Sequence, residues 1–164
     1  MKRSHLLLTC LALTVASLMT FVAPVAAGDE VPLKGNLQGD VVHTAVSPTV
    51  DSVVITAAGN VSHLGQTTIT STHLVDRTTR TAVGTYEFTA ANGDTLRADF
   101  VGHAMPTATP GVLAIVENAT ITGGTGRFEG ATGSFTIERL YDQVAGETVG
   151  TIEGTVSSPG VAKH

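Results

Sequence analysis

The stretch Gly123-Gly124-Thr125-Gly126-Arg127-Phe128-Glu129-Gly130-Ala131-Thr132-Gly133 holds five glycines in eleven residues. A backbone this rich in glycine turns tightly or takes φ > 0, conformations that a Cβ penalises. It separates two strand-like runs, Leu113 to Thr122 and Ser134 to Tyr141. Gly123, Gly124, Gly126, Gly130 and Gly133 are therefore expected to form a structural turn. A phosphate cradle is the other reading, and three features oppose it. No Lys-Ser/Thr pair ends the segment, Glu129 stands where Gly-x-Gly-x-x-Gly needs its last glycine, and a strand rather than a helix follows.

Outward from this turn, strand-like runs and turn signals alternate along the chain. Eight strands are expected: Leu33 to Val46, Val50 to Ala58, Thr67 to Asp76, Thr81 to Ala91, Thr95 to Met105, Val112 to Thr122, Ser134 to Tyr141 and Thr148 to Ser157. The breaks fall at Ser47-Pro48, Gly59-Asn60 with Leu64-Gly65, Arg77 to Arg80, Asn92-Gly93, Pro106 to Gly111, the glycine stretch, and Asp142 to Glu147. Asn92-Gly93 predicts a hairpin with a type I′ turn, which needs φ > 0 at both central residues. No window carries sustained helical periodicity, and no linker or repeat divides the chain. Many short strands joined by short turns indicate a sandwich or barrel.

Period-two alternation gives the strands one apolar face each. Tyr86 with Phe88, Leu96 with Ala98 and Phe100, and Leu113 with Ile115, Ala119 and Ile121 mark such faces. Phe135 with Ile137 and Tyr141, and Ile152 with Val156, mark two more. The opposite faces are largely Thr, Glu, Arg and Asp. An antiparallel sheet closed around its own core has this pattern.

The N-terminus has a three-part pattern. Met1 to His5 is basic, Leu6 to Val22 is apolar apart from Thr, Ser and Cys, and Val25-Ala26-Ala27 sets small residues before a cleavage site. Residues 1 to 27 are expected to be a secretory signal peptide cleaved after Ala27. An uncleaved anchor is disfavoured by the Ala/Pro-rich exit and the lack of basic residues after it. Thr9 before Cys10 disfavours a lipoprotein signal, and Arg3 has no twin. Residues 28 to 164 then form one domain with a core of about 33 to 157, and the tail from Ser158 is expected to be loose.

Charge and cysteine content exclude several function classes. The chain carries 9 basic and 14 acidic residues, a net charge of −5. Cleavage removes Lys2 and Arg3 and no acid, leaving 7 against 14, or −7. A domain this acidic offers no footprint for nucleic acid or an anionic membrane. Cys10 is the single cysteine, so the cleaved chain forms no disulfide and has no thiolate for catalysis or zinc. The expected location is extracellular or periplasmic, with no stable membrane span after cleavage.

Ile121 to Gly133 resembles the glycine-rich segment of the allene oxide cyclase and dirigent proteins. Those families carry a Gly-Gly-Thr-Gly or Gly-Gly-Ser-Gly turn, then an aromatic, a small residue and another glycine before the next strand. The chain is still more similar to a group of secreted, largely uncharacterised bacterial proteins with this barrel. In that group Ser62-His63-Leu64-Gly65, Phe88-Thr89-Ala90-Ala91-Asn92-Gly93-Asp94 and the glycine stretch recur in this order. The resemblance covers roughly Gly35 to Gly160. It implies an all-β fold, a calycin-like, eight-stranded antiparallel barrel. The segment that supplies lumen catalytic groups in the plant cyclases has no counterpart here, so no catalytic residue is carried over.

Candidate chemistry is sparse. Glu117 shares parity with Leu113 and Ile115, and Arg139 with Phe135 and Ile137. Both are expected to enter the lumen, where a charge is costly unless paired. A bulge after the glycine stretch would instead put one of them in solvent. Glu117 is the weak candidate for catalysis, and Glu117, Arg139, Tyr86 and Phe88 are the candidate ligand-binding residues.

His43, His63 and His73 fall on or near apolar faces, and three histidines suit an open zinc site. No two lie two residues apart, so hydrogen-bonded or rim histidines are expected instead. His103 is expected outward. No metal and no cofactor is expected, and neither a Ser-His-Asp order nor a calcium loop is present. Asn60-Val61-Ser62 and Asn118-Ala119-Thr120 match the glycosylation triplet.

Two functions follow as expectations. The first is a secreted, non-enzymatic barrel that binds a small apolar ligand or serves as an extracellular structural module, with association into a homo-oligomer left open. The second is an isomerase or cyclase acting on an apolar substrate in the lumen, as the resemblance to allene oxide cyclase implies. Eight strands make a barrel just wide enough for a packed interior or one small ligand.

Overall fold

The computed structural model describes residues 29–157. The signal peptide expected over residues 1–27 and the tail from Ser158 lie outside the described residues. The eight expected strands are present: β1 (Glu30–Ala45), β2 (Val50–Val61), β3 (Gly65–Asp76), β4 (Thr81–Ala90), β5 (Thr95–Pro106), β6 (Val112–Gly124), β7 (Thr132–Asp142) and β8 (Glu147–Ser157). Each pairs antiparallel with the next in sequence, and β1 pairs with β8 to close the barrel. Closure removes every free sheet edge.

Local details differ from the sequence expectation at two turns. Asn92 does not take φ > 0; Gly93 does, at 87°. The last β4–β5 pair is Thr89 with Thr95, so the connection is longer than a two-residue turn. The Gly93 N–H donates to the Ala90 carbonyl and the Ala90 N–H to that of Asp94, so one left-handed residue closes the hairpin. Gly59-Asn60 is not a break but the end of β2. Gly59 sits where a Cβ would lie 1.9 Å from the Asn36 carbonyl oxygen.

The barrel has two unlike ends. At one, the β2–β3, β4–β5 and β6–β7 connections meet the start of β1 and the end of β8. Here the glycine stretch makes a turn with a short 3-10 helix, Gly126–Phe128. Gly123, Gly126, Gly130 and Gly133 have positive φ. Gly124 does not; it is glycine because a Cβ would lie 2.0 Å from the Thr95 carbonyl oxygen. The turn delivers Phe128 into the interior, where it is fully buried with Leu33, Leu96 and Val156 in the core. Asp94 occupies the backbone of this turn, accepting from the Arg127 N–H at 3.3 Å and from its Nε at 3.1 Å. The Asp94 carboxylate also lies where a Cβ on Gly126 would sit, so the turn is closed by the chain's own side chain.

Mid-barrel, an aromatic layer follows. Tyr86 lies 4.7 Å from Phe100 and 5.8 Å from Phe88 between ring centroids, and Phe88 meets Phe135 edge-on at 5.5 Å. Beyond this layer, toward the β1–β2, β3–β4, β5–β6 and β7–β8 connections, the lumen is open. Phe128 thus seals one end, and Phe128→Ala is expected to cost about 3–5 kcal/mol, the range for deleting a buried aromatic. Chemical denaturation checks this; a loss under about 1 kcal/mol would show that Phe128 is not a core plug.

Candidate functional site

The open half of the lumen is a cavity of about 680 Å³. Val41, Val53, Val75, Ala82, Leu113 and Ile115 give it apolar walls, and the β5–β6 loop from Thr107 to Gly111 borders its mouth. Glu117, Arg139, His73 and, at the rim, Asp51 supply its buried polar groups.

Glu117 and Arg139 reach the lumen as their parity requires. The one β-bulge in this region lies between β5 and β6, where Arg97 pairs with Gly123 and Ala98 with Ile121, leaving Thr122 extra. The β6–β7 register runs without a shift from Val112 with Asp142 to Thr120 with Ser134. Glu117, fully buried, therefore stands diagonal to Arg139, which pairs with Ile115. Arg139 Nη2 donates to Glu117 Oε1 at 2.8 Å and Nε to Oε2 at 3.1 Å, a two-point fork. The Tyr86 hydroxyl donates to Oε2 at 2.6 Å. Arg139 Nη1 also donates to Thr148 Oγ1 at 3.3 Å, and that hydroxyl donates to the Leu140 carbonyl.

Glycines make room for these groups. A Cβ on Gly102 would lie 2.7 Å from Glu117 Cγ, and one on Gly150 would lie 2.5 Å from Arg139 Cβ. Gly84 faces His73 in the same way, with 2.2 Å between the Cβ positions. Each is the cross-strand partner of the polar residue it accommodates.

Protonation follows from burial and pairing. Burial alone would lower the Arg139 pKa, but the hydrogen bonds and charge of Glu117 outweigh it and hold it above the ordinary value. Burial first, then the Glu117 carboxylate, pushes the Tyr86 phenol well up, so it stays a neutral donor. Both Glu117 oxygens are already held, one by Arg139 Nη2 and the other by Arg139 Nε and the Tyr86 hydroxyl.

The other sequence candidates divide. Tyr86 and Phe88 face inward but do not line the cavity; they belong to the aromatic layer beneath it. His43 and His73 line the cavity, whereas His63 sits in the β2–β3 turn at the sealed end, 3.0 Å from the Pro32 carbonyl oxygen. The three histidines are not brought together, and among the described residues no group of three or more His, Cys, Asp or Glu side chains is placed to hold a metal. His103 is exposed and touches the mouth.

Sequence reasoning missed the rim. Asp51 is buried and lies 3.5 Å from His43 Nδ1 and 3.6 Å from Arg77 Nε. His43 stacks on Tyr141 with 5.5 Å between centroids. The signal was available, because Asp51 shares parity with Val53, Ile55 and Ala57. Arg77 and Arg80 join Arg139 as cavity residues, so three of the five described arginines meet here in an acidic chain.

The solved structures to which the barrel is similar include those of two dirigent proteins. That of the pterocarpan synthase dirigent protein GePTS1 matches with a TM-score of 0.56 and 18% identity, covering 87% of this chain and 99% of that one. That of the pterocarpan synthase dirigent protein PsPTS1 matches with a TM-score of 0.60 and 12% identity, covering 82% and 98%. At these identities the likeness is one of fold, and the chain has the dirigent-like eight-stranded barrel. No protein-family model matches the chain, and no curated protein matches it in sequence.

A buried pair that loses one member leaves an uncompensated charge, so Arg139→Met is expected to cost about 3–5 kcal/mol. Adding Glu117→Gln to Arg139→Met should recover a large part of that loss. Denaturant titration of both single variants and the double variant measures the coupling; strictly additive losses would show that the pair does not act as a unit.

Proposed function

We propose that the chain is exported, that cleavage after Ala27 leaves residues 28–164 as one barrel domain, and that this barrel binds a small, mainly apolar molecule without transforming it. The observation that carries the reading is the division of the lumen. One half is packed solid by Phe128 and the aromatic layer, and the other holds a cavity of about 680 Å³ with apolar walls and a polar floor. Apolar lining with a few fixed polar groups is the usual constitution of a small-molecule site. The N-terminal pattern supports an extracellular or periplasmic location. No helix among the described residues is long and apolar enough to cross a membrane.

The isomerase or cyclase reading rests on Glu117 as the reacting group. Its two oxygens are occupied by Arg139 and Tyr86, so the non-catalytic reading has the better support. The outer wall supports self-association. Val42, Val54, Leu74, Val83 and Val101 stand exposed on five consecutive strands.

Titration with ethylnaphthalene, followed by methyl-resolved NMR, tests the binding reading. Methyl signals of Val41, Val53, Val75, Leu113 and Ile115 should shift saturably, while those of Leu33, Leu96 and Val156 stay in place. Ala104→Phe, which fills the half-buried mouth side, should abolish the shifts. Shifts that persist in that variant, or no saturable shift at all, would contradict a ligand-binding lumen and leave a structural role.

A further inference from the structure

One buried group in the open lumen has a polar atom with no protein partner. His73 projects inward from β3 and is 4% exposed. Its ring stands edge-on to Phe100 with 5.4 Å between centroids. Its Nδ1 lies 3.0 Å from the Ser71 hydroxyl oxygen. Its Nε2 has no hydrogen-bond partner among the described residues, and the side chain lines the cavity.

The position of the imidazole proton follows from counting hydrogens. A serine hydroxyl carries one, and a neutral imidazole carries one on either nitrogen. Ser71 is 1% exposed and has no other side-chain partner among the described residues. If Nδ1 carried the proton, the Ser71 hydroxyl hydrogen would be buried with no acceptor, which is costly. If Ser71 donates to Nδ1, the hydroxyl and Nδ1 are both satisfied and the proton lies on Nε2.

We infer that His73 presents Nε2–H to the cavity as its specificity-determining donor, and that the cavity takes apolar molecules bearing one neutral acceptor oxygen, such as a ketone carbonyl. This rests on the binding reading above and adds the class of ligand. The groups around the ring agree with a neutral donor. The His73 pKa is lowered to about 4, chiefly by burial, with the Glu117 charge opposing that fall and Arg139 and His43 adding to it. At neutral pH the ring therefore offers a hydrogen bond without a charge. A site built around a buried donor rejects analogues that leave it unpaired.

The test uses the secreted form of the full chain and two matched probes, acetylnaphthalene and ethylnaphthalene substituted at the same ring position. Nitrogen-resolved NMR of the free protein should show the Nε2–H tautomer of His73 from neutral pH down to about 4. Acetylnaphthalene should bind roughly tenfold more tightly, the worth of one well-made hydrogen bond, and should alone shift the His73 Nε2 signal. His73→Leu should erase the preference while still binding ethylnaphthalene. His73→Gln, which keeps a donor, should retain part of it and covers the case in which the leucine variant does not fold.

An Nδ1–H tautomer, or equal affinities with both probes bound, would overturn the inference alone. Binding of neither probe, with the Nε2–H tautomer present, would overturn the binding reading and this inference with it.

Discussion

The buried ion pair of Glu117 and Arg139 is the constraint around which the lumen is arranged. Two charges removed from water repay their desolvation only when geometry is close and remaining lone pairs are filled. The fork from Arg139, the Tyr86 hydroxyl and Thr148 meet that demand. These partners come from β4, β6, β7 and β8. A displacement of any of these strands would leave a charged group short of a partner. The pair therefore fixes strand register where the interior changes from packed to open.

Size complementarity between strands does the rest. The interior of an eight-stranded barrel is narrow, so a large inward group needs a small one beside it. Gly84, Gly102 and Gly150 face His73, Glu117 and Arg139, and a Cβ at any of the three would collide. The same glycines that create room for polar groups leave the upper lumen thinly filled. At the other end the glycine-rich turn has the opposite effect, folding Phe128 back into the interior and closing it. One residue type thus both seals one end and opens the other.

Much of the fold was legible because a strand's period of two is a simple code. Leu96, Ala98 and Phe100, or Phe135 and Ile137, show their facing directly. Glu117 and Arg139 were legible for the same reason, as charges on otherwise apolar faces. What parity does not encode is depth along the barrel axis. Tyr86 and Phe88 were expected at the ligand because they face inward, yet their strand register sets them a layer below the cavity. The bulge at Thr122 and the single left-handed residue at Gly93 depend on partner strands and were not readable locally. Asp51 shares the inward parity of Val53, Ile55 and Ala57, but an acid at the start of a strand also fits a turn, so parity alone does not place it. That the lumen is half empty follows from how glycines on one strand meet large side chains on the next, which a single strand's pattern does not contain.

A cavity with apolar walls over a buried, fully partnered charge pair suits holding a molecule better than proton chemistry on it. The central claim is that this pair is formed and shielded from water in the free protein. Proton–nitrogen correlation NMR of the arginine Nε–H groups tests it most directly. Arg139 Nε–H, held by Glu117 and buried, should give a sharp signal that exchanges with solvent far more slowly than that of exposed Arg80. Exchange of the Arg139 signal as fast as that of Arg80 would show an open, hydrated floor and contradict the account.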